Sequence, residues 1–372
     1  MREILFVAGE VSGDLHAAGV ARALRASQAP FALVGVGGDR MRDAGVELIE
    51  HAERLAVMGF IEPLKRLPQF RRLRDTLRAR IEGGNVALVI LVDYAGFNLK
   101  IAELAAVAGV PVLYFITPQV WASRPGRMAK LAKHVTRAAV ILPFEEKLLR
   151  ANGVEATFVG HPLLDRAATL PDRDTARRQL GIGPDDVLLA LFPGSRAQEI
   201  SHHLERFVAT AHELERRIPR LKVVVGAAPH VSIPAERCPY PLVHGASFEL
   251  LRAADAAMCK SGTTTLEATV ALCPMVVAYR TDAVTFWLAK RIVKIPFIGL
   301  VNVLAGREVA REFVQDDLDP MHVADELEPL LDRTSPARAR MIEELARVRA
   351  TLGKPGAAVR VAEIALSLAS AA

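Results

Sequence analysis

Two short stretches have the residue types and spacing of a diphosphate site. The first is LFPGSRAQEI, residues 191–200. The apolar run DVLLALF precedes it and ends at Pro193, and Gly194 and Ser195 make a sharp turn. Arg196 to Glu199 then open an amphipathic helix through HHLERFVATAHELERR. A strand, a small-residue turn and a helix N-terminus offer outward N–H groups and a positive dipole end to an anion. Arg196 adds a planar cation that binds phosphate bidentately. An ordinary strand-to-helix turn with Arg196 in solvent fits the same residues. The second stretch is CKSGTTTLEA, residues 259–268, after the short strand DAAMC. Ser261, Gly262, Thr263 and Thr264 place small side chains, hydroxyls and N–H groups at another helix start. One turn in, Glu267 can accept two ribose hydroxyls. It also has the S/T-x-x-E spacing of a capping box with Thr264, and spacing alone favours the cap. Two such turns in one βα repeat point to a diphosphate on the carboxyl edge of a parallel sheet.

A third candidate is Asp93, the last residue of the β-branched run VALVILVD, residues 86–93. A carboxylate at such a strand end can take a proton from an attacking hydroxyl, or serve only as an Asx-turn or helix cap. In the loop TPQVWASRPGR, residues 117–127, one of the two tryptophans stands with Arg124 and Arg127. The lone His161 after EATFVG reads as structural.

These residues need strands and helices to hold them. At 372 residues the chain suits two domains, and its 51% hydrophobic content marks it as globular. EILFVAG opens a first βα series. GEVSGD follows as a glycine-rich turn in which Asp14 can cap the helix LHAAGVARALRAS. The turn lacks the G-x-G-x-x-G spacing and strand two lacks a closing acid, which argues against a dehydrogenase. Charged, Pro- and Gly-containing text at 165–184 reads as the boundary into a second βα series with strands at 186–192, 221–226, 255–259 and 274–279. Residues 278–295 read as an amphipathic helix with a basic face, and the tail from about Ala337 as helices that cross back. The expected domains are therefore 1–168, 169–336 and a helical 337–372.

Three scattered cysteines fit a reducing compartment rather than a disulfide framework or a metal site. No apolar run approaches a membrane span, and the start lacks the pattern of a signal peptide. The net charge of +5 is modest, so its distribution matters more. Within residues 54–80, the apolar Leu55, Val57, Met58, Phe60 and Ile61 precede Lys65, Arg66, Arg71, Arg72, Arg74, Arg78 and Arg80. From Lys65 to Arg80 the only acid is Asp75, and Phe70, Leu73 and Leu77 recur at helical spacing. A basic helix beside an apolar patch suits an anionic lipid surface, and a solvated helix packed by Leu73 and Leu77 is the plainer reading. Aromatics do not interleave with the cations, which argues against nucleic acid.

In their order and spacing these stretches resemble the lipid-A-disaccharide synthase family. The resemblance rests on GEVSGDLHAAG at 9–19, LAVMGFIEPL at 55–64, VDYAGFN at 92–98, TPQVW at 117–121 and FVGHPL at 158–163. It continues through FPGSRAQEI at 192–200, SGTTTLEA at 261–268, PMVVAYR at 274–280, TFWLAKR at 285–291 and NVLAGRE at 302–308. It implies an α/β GT-B architecture, with two Rossmann-like parallel-sheet domains facing a central cleft. It also implies an inverting glycosyltransferase that joins UDP-2,3-diacylglucosamine to 2,3-diacylglucosamine 1-phosphate and releases UDP. The family's proposed base falls on Asp93. Its UDP contacts fall on Arg196, Ser261, Gly262, Thr263, Glu267, Asn302 and Gln315, and its acceptor-side loop on Ser12, Gly13 and Asp14. No cofactor or metal is implied. The expected setting is cytoplasmic, at the inner face of the inner membrane, with a homodimer left open. The chain departs from the family at Ala95 and Gly96, where a Pro and an Asp are usual in the pattern D-x-P-D-F-N, at Ser123 and at Val301; these positions bear on acceptor recognition. Two other classes remain: a UDP-N-acetylhexosamine 2-epimerase, and a nucleotide-sugar or lipid-phosphate binding protein without turnover.

Overall fold

A computed structural model describes residues 1–54, 67–121, 126–229, 231–292 and 296–371. The apolar cluster at 55–61, together with Lys65, Arg66, Ser123 and Arg124, lies outside the described residues. The chain forms two compact units, Met1–Pro162 with Leu352–Ala372, and Leu163–Thr351.

The first unit runs β1 (Glu3–Ala8), α1 (Val11–Ala26), β2 (Ala32–Gly37), α2 (Asp39–Asp43), β3 (Glu47–His51), α3 (Leu67–Glu82) and β4 (Val86–Val92). It continues with α4 (Ala95–Val107), β5 (Val112–Phe115), α5 (Gly126–His134), β6 (Arg137–Val140), α6 (Pro143–Arg150) and β7 (Ala156–Phe158). Its seven strands are parallel in the order β3-β2-β1-β4-β5-β6-β7. Beyond Glu3, β1 and β4 are apolar throughout because both sheet faces are covered. Alternate residues serve the two faces. Leu5 and Val7 meet Leu73, Leu77 and Ile81 of α3, while Ile4 and Phe6 share a core with Ala17 and Ala21 of α1.

The second unit runs α7 (Leu163–Ala168), α8 (Arg173–Gln179), β8 (Val187–Phe192), α9 (Ala197–Arg217), β9 (Leu221–Ala227), β10 (Leu242–His244), α10 (Ser247–Ala253) and β11 (Ala256–Lys260). After these come α11 (Thr263–Ala271), β12 (Met275–Tyr279), α12 (Ala283–Ile292), α13 (Leu300–Ala305), β13 (Glu312–Val314), α14 (Pro320–Leu331) and α15 (Pro336–Thr351). Its sheet is also parallel, in the order β10-β9-β8-β11-β12-β13. A last helix, α16 (Ala357–Ala371), packs on α1 in the first unit.

Three expectations need correction. The tail expected at 337–372 divides. α15 stays in the second unit against α11, α13 and α14, and α16 alone returns to the first. The second unit begins at Leu163 rather than 169, because Arg166 of α7 pairs there with Glu267 and Glu249. The helix expected over 278–295 begins only at Ala283, since 275–279 is the strand β12. The edge strands β3, β10 and β13 were not anticipated. Each is short and carries polar residues, without the β-branched run that marks a buried strand.

Candidate functional site

Strand order decides where ligands fit. In an open parallel sheet the crevice lies at the carboxyl ends of the two strands where the order reverses. In the second unit those strands are β8 and β11, which are paired in parallel. The turns after Phe192 and after Lys260 are therefore adjacent.

Gly194 has φ +138°, and a Cβ there would lie 2.5 Å from Cβ of Glu199. Only glycine closes this turn over the start of α9. Arg196 is the N-cap residue of α9 and its side chain is 76% exposed, within 3.5 Å of Glu199. Gly262, with φ +155°, leads into α11. Neither helix has a side-chain cap from its N-cap residue. The side-by-side turns are bound by a pair that sequence reasoning did not assign: Lys260 Nζ donates to Glu199 Oε1 at 2.8 Å. Glu199 Oε2 accepts the Ser195 N–H at 2.9 Å. Burial alone would raise this carboxyl, but Lys260 and the Ser195 N–H outweigh it and hold it below the usual carboxylate range.

The expected nucleotide contacts divide into those at the crevice and those behind it. Arg196, Ser261, Gly262 and Thr263 stand at the two turns, and Thr263 is exposed. Ser261 donates its hydroxyl to the Ile298 carbonyl at 2.7 Å. Glu267 is buried and makes no capping box. Its oxygens accept Arg166 at 3.1 Å and the Ser247 hydroxyl at 2.9 Å. The Thr264 spacing is misleading because the carboxylate reaches sideways to α7 and α10. Burial raises the Glu267 carboxyl against the pull of Arg166 and Ser247. Asn302 is wholly buried. Its Oδ1 accepts the N–H groups of Val309 and Ala310 at 2.7 and 2.9 Å. Its Nδ2 donates to the Ala310 carbonyl and to Glu312 at 2.7 and 2.8 Å. Glu312 in turn accepts the N–H groups of Ile298 and Gly299. Asn302 thus supports the segment that holds Ser261. Gln315 is likewise engaged, accepting the Thr281 N–H at 2.8 Å and donating to the Thr281 carbonyl at 3.1 Å.

His203 completes this rear wall. The Arg280 N–H donates to its Nε2 at 2.8 Å, so Nδ1 carries the proton and donates to the Glu199 carbonyl at 2.6 Å. Burial lowers its pKa, which keeps the ring in this neutral form. The sequence offered partial signals for this wall. Lys260 ends a strand, and Glu199 stands in the first turn of its helix. Arg166 lies 101 residues from Glu267 and gave none.

In the first unit the order reverses between β1 and β4. Asp93 follows β4 directly. Asp93 and Tyr94 have φ +50° and +48°, two successive non-glycine residues in the left-handed region, each costing roughly 1–2 kcal/mol. A Cβ on Gly9, after β1, would lie 2.4 Å from the Tyr94 ring, so glycine is required beneath it. The Tyr94 ring packs with Phe70 of α3 and Phe97 of α4. Asp93 does not cap α4, whose N-cap residue is Tyr94. It is half-buried, and burial raises its carboxyl pKa above the usual range against the opposing pull of the Tyr94 backbone. No described side chain hydrogen-bonds that carboxyl.

Of the acceptor-side loop, Ser12 is exposed and Gly13 is buried, where an added Cβ would lie 3.5 Å from that of Ala8. Asp14 does not cap α1. It is buried within the first turn of α1 and accepts the N–H groups of Gly38, Arg40 and Met41 at 2.7, 3.2 and 3.1 Å, which caps α2. Burial lowers His16 and His161 to about 4, and the charge of His16 adds to the effect on His161. Trp121 donates to Glu145 at 3.1 Å, and burial pushes that carboxyl up to about 7.

Comparison with known proteins gives the family and the fold. The family profile described as lipid-A-disaccharide synthetase matches residues 4–355. A lipid-A-disaccharide synthase of Trichlorobacter lovleyi is 38% identical over 374 residues, covering 99% of this chain and 97% of the relative. Among solved structures, the glycotransferase of kitacinnamycin aligns with TM-score 0.65 at 16% identity, over 99% of both chains. A UDP-GlcNAc 2-epimerase from Neisseria meningitidis, bound to UDP-GlcNAc, aligns with TM-score 0.64 at 13% identity, over 98% of this chain and 100% of that one. At such identities the two structures share the GT-B fold alone, and the fold does not separate transferase from epimerase. The match in sequence over nearly the whole length does: the chain belongs to the lipid-A-disaccharide synthase family of UDP-sugar-dependent glycosyltransferases.

Proposed function

We propose that the chain transfers 2,3-diacylglucosamine from UDP to the 6-hydroxyl of 2,3-diacylglucosamine 1-phosphate, with inversion, giving a β-1,6 disaccharide. Asp93 carries this reading. It is a half-buried carboxyl at the switch point of the first sheet, with a pKa raised by burial and no described side-chain partner. A raised pKa makes a carboxylate a better base. Asp93 takes the proton of the acceptor hydroxyl as that oxygen attacks the anomeric carbon. The bond from this carbon to the phosphate oxygen breaks, and UDP leaves with the electron pair. One in-line displacement inverts an α donor to a β product.

The second unit receives the charge. Arg196, exposed at the start of α9, and the first turn of α11 at Ser261, Gly262 and Thr263 bind the diphosphate. Glu267 takes the ribose, and Asn302 and Gln315 shape the pocket from behind. Ser12 and Gly13 line the acceptor side, and Asp14 sets the loop through its bonds to α2. Lipid substrates also give α3 a purpose. Leu73 and Leu77 face the core and Arg71, Arg72 and Arg78 face outward, so the helix offers cations to an anionic membrane at the cytoplasmic face. Arg80 is not part of that face, because it pairs with Glu3 at 2.7 Å. No described helix is long and apolar enough to cross a membrane.

The test is UDP release from UDP-2,3-diacylglucosamine in detergent, with and without acceptor, and with EDTA. Acceptor-dependent release with a disaccharide phosphate by mass is expected, unchanged by EDTA. Asp93→Asn should lower kcat by about 100-fold or more while UDP binds nearly as before. Release without acceptor would mark a hydrolase, and tight UDP binding without release a binding protein. Undiminished turnover in Asp93→Asn would exclude Asp93 as the base.

A further inference from the structure

We infer that Asn98 and Tyr114 are positioning residues that hold the Asp93 backbone in the left-handed conformation from which its carboxyl works. This rests on the reading of Asp93 as the base. Asn98, in the first turn of α4, is wholly buried. Its Nδ2 lies 3.2 Å from the carbonyl of Val7, 3.2 Å from that of Val92 and 2.8 Å from that of Asp93. One amide group therefore gathers the carboxyl ends of both strands at the switch point. Tyr114, on the neighbouring strand β5, is also wholly buried and donates its hydroxyl to the same Asp93 carbonyl at 2.7 Å. The Asp93 N–H is fixed as well, donating to the Phe115 carbonyl at 3.1 Å. Both backbone polar groups of Asp93 are thus pinned on either side of an unfavourable φ.

The orientation of the Asn98 amide is forced. Turning it over would set Oδ1 against three carbonyl oxygens. In the forced orientation Oδ1 is buried without a hydrogen-bond partner among the described residues. An unpaired buried oxygen works against stability. A residue that costs stability on one side and clamps a strained strand end on the other serves geometry rather than the core. Holding a reacting group in place is worth large factors in rate, so a modest loosening at Asp93 should be visible in kcat.

The experiment is Tyr114→Phe in the full chain, beside Asp93→Asn in the same assay. The ring stays in the core and only the hydroxyl is lost. The expected result is a kcat lower by about tenfold to 100-fold, with KM for the UDP-sugar within about twofold of the parent. UDP affinity should match the parent, and the melting temperature should fall by about 2–4 °C, as one buried hydrogen bond is lost. Loosened, Asp93 gains water and its pKa falls towards the ordinary range, so the acid limb of kcat/KM should move to lower pH. A role in packing alone would not move that limb. Asn98→Ser, which leaves one donor for the three carbonyls, should act in the same direction and serves if Tyr114→Phe fails to fold. Parent-like kcat and pH limb in Tyr114→Phe, with Asp93→Asn inactive, would overturn the inference and leave the base assignment standing. Full turnover in Asp93→Asn would remove both.

Discussion

Arg196 and Asn302 differ in what surrounds them, and that sets what their loss should do. Arg196 is mostly in solvent beside Glu199, so the folded chain depends little on it. Arg196→Ala should leave the melting temperature unchanged and weaken UDP binding about tenfold or more, as one charge-assisted phosphate contact is lost. Asn302→Ala should do the reverse. It leaves the part-buried N–H of Val309, the buried N–H of Ala310 and the carboxylate of Glu312 short of a partner. A cost of about 2–4 kcal/mol is expected, with UDP binding reduced only through the Ser261 segment. Thermal melting with and without UDP separates the two outcomes. The motif places both residues near one pocket. It cannot tell a side chain that faces the ligand from one that holds the wall, since both demand a fixed residue type. The same limit hides Asp14, whose bonds run to α2 across 24 or more residues of chain.

The helix α6 begins with a carboxyl that is both cap and partner. Glu145 accepts the Leu142 N–H at 3.2 Å and the Trp121 indole at 3.1 Å. Burial lifts it from an ordinary 4.5 to about 7, against those two bonds. The folded chain therefore holds this proton more tightly than the unfolded one. Its contribution to stability is full below about pH 4.5 and is lost as pH rises through about 7. Trp121 reports the change, because the chain has only two tryptophans. In a Trp287→Phe background, Trp121 emission should titrate with a midpoint near 7, and Glu145→Gln should flatten the curve. A titration that survives Glu145→Gln would assign it to another group. Nothing in the text PFEEK marks the first of its two glutamates as buried. Strand ends are legible from apolar runs such as VALVILVD. Burial of one carboxyl depends on what the chain brings over it from Trp121, 24 residues away.

In the proposed mechanism two switch points, one in each sheet, carry the chemistry. Both lay in the sequence as βα repeats whose turns carry Asp93, Arg196 and Ser261. Strand order was not readable from pattern, and with it went the adjacency of Lys260 to Glu199. The division of the chain was partly readable for a related reason. The tail has helical periodicity from end to end, yet Met341 and Leu345 bury in the second unit while Val361 and Ala365 bury in the first. Periodicity reports that a face is covered and does not say by what. The two cores should therefore fail separately. Asp255, wholly buried before β11, accepts Arg173 at 2.6 Å, Arg333 at 2.8 Å, Arg177 at 3.3 Å and the Leu188 N–H at 2.8 Å. Asp255→Ala leaves these cations without their counter-charge, which typically costs about 3–5 kcal/mol. That loss falls on the second unit, where UDP binds in the proposed mechanism. Removing residues 352–372 instead strips Val361, Ala362, Ala365 and Ala369 from the core beneath α1. That loss falls on the first unit, which holds Asp93. Limited proteolysis read by mass should show Asp255→Ala cut first within 163–351 and without UDP protection. The truncated chain should be cut first within 1–162 while UDP still protects the rest. Cleavage spread evenly over both units in either variant would show that they unfold as one.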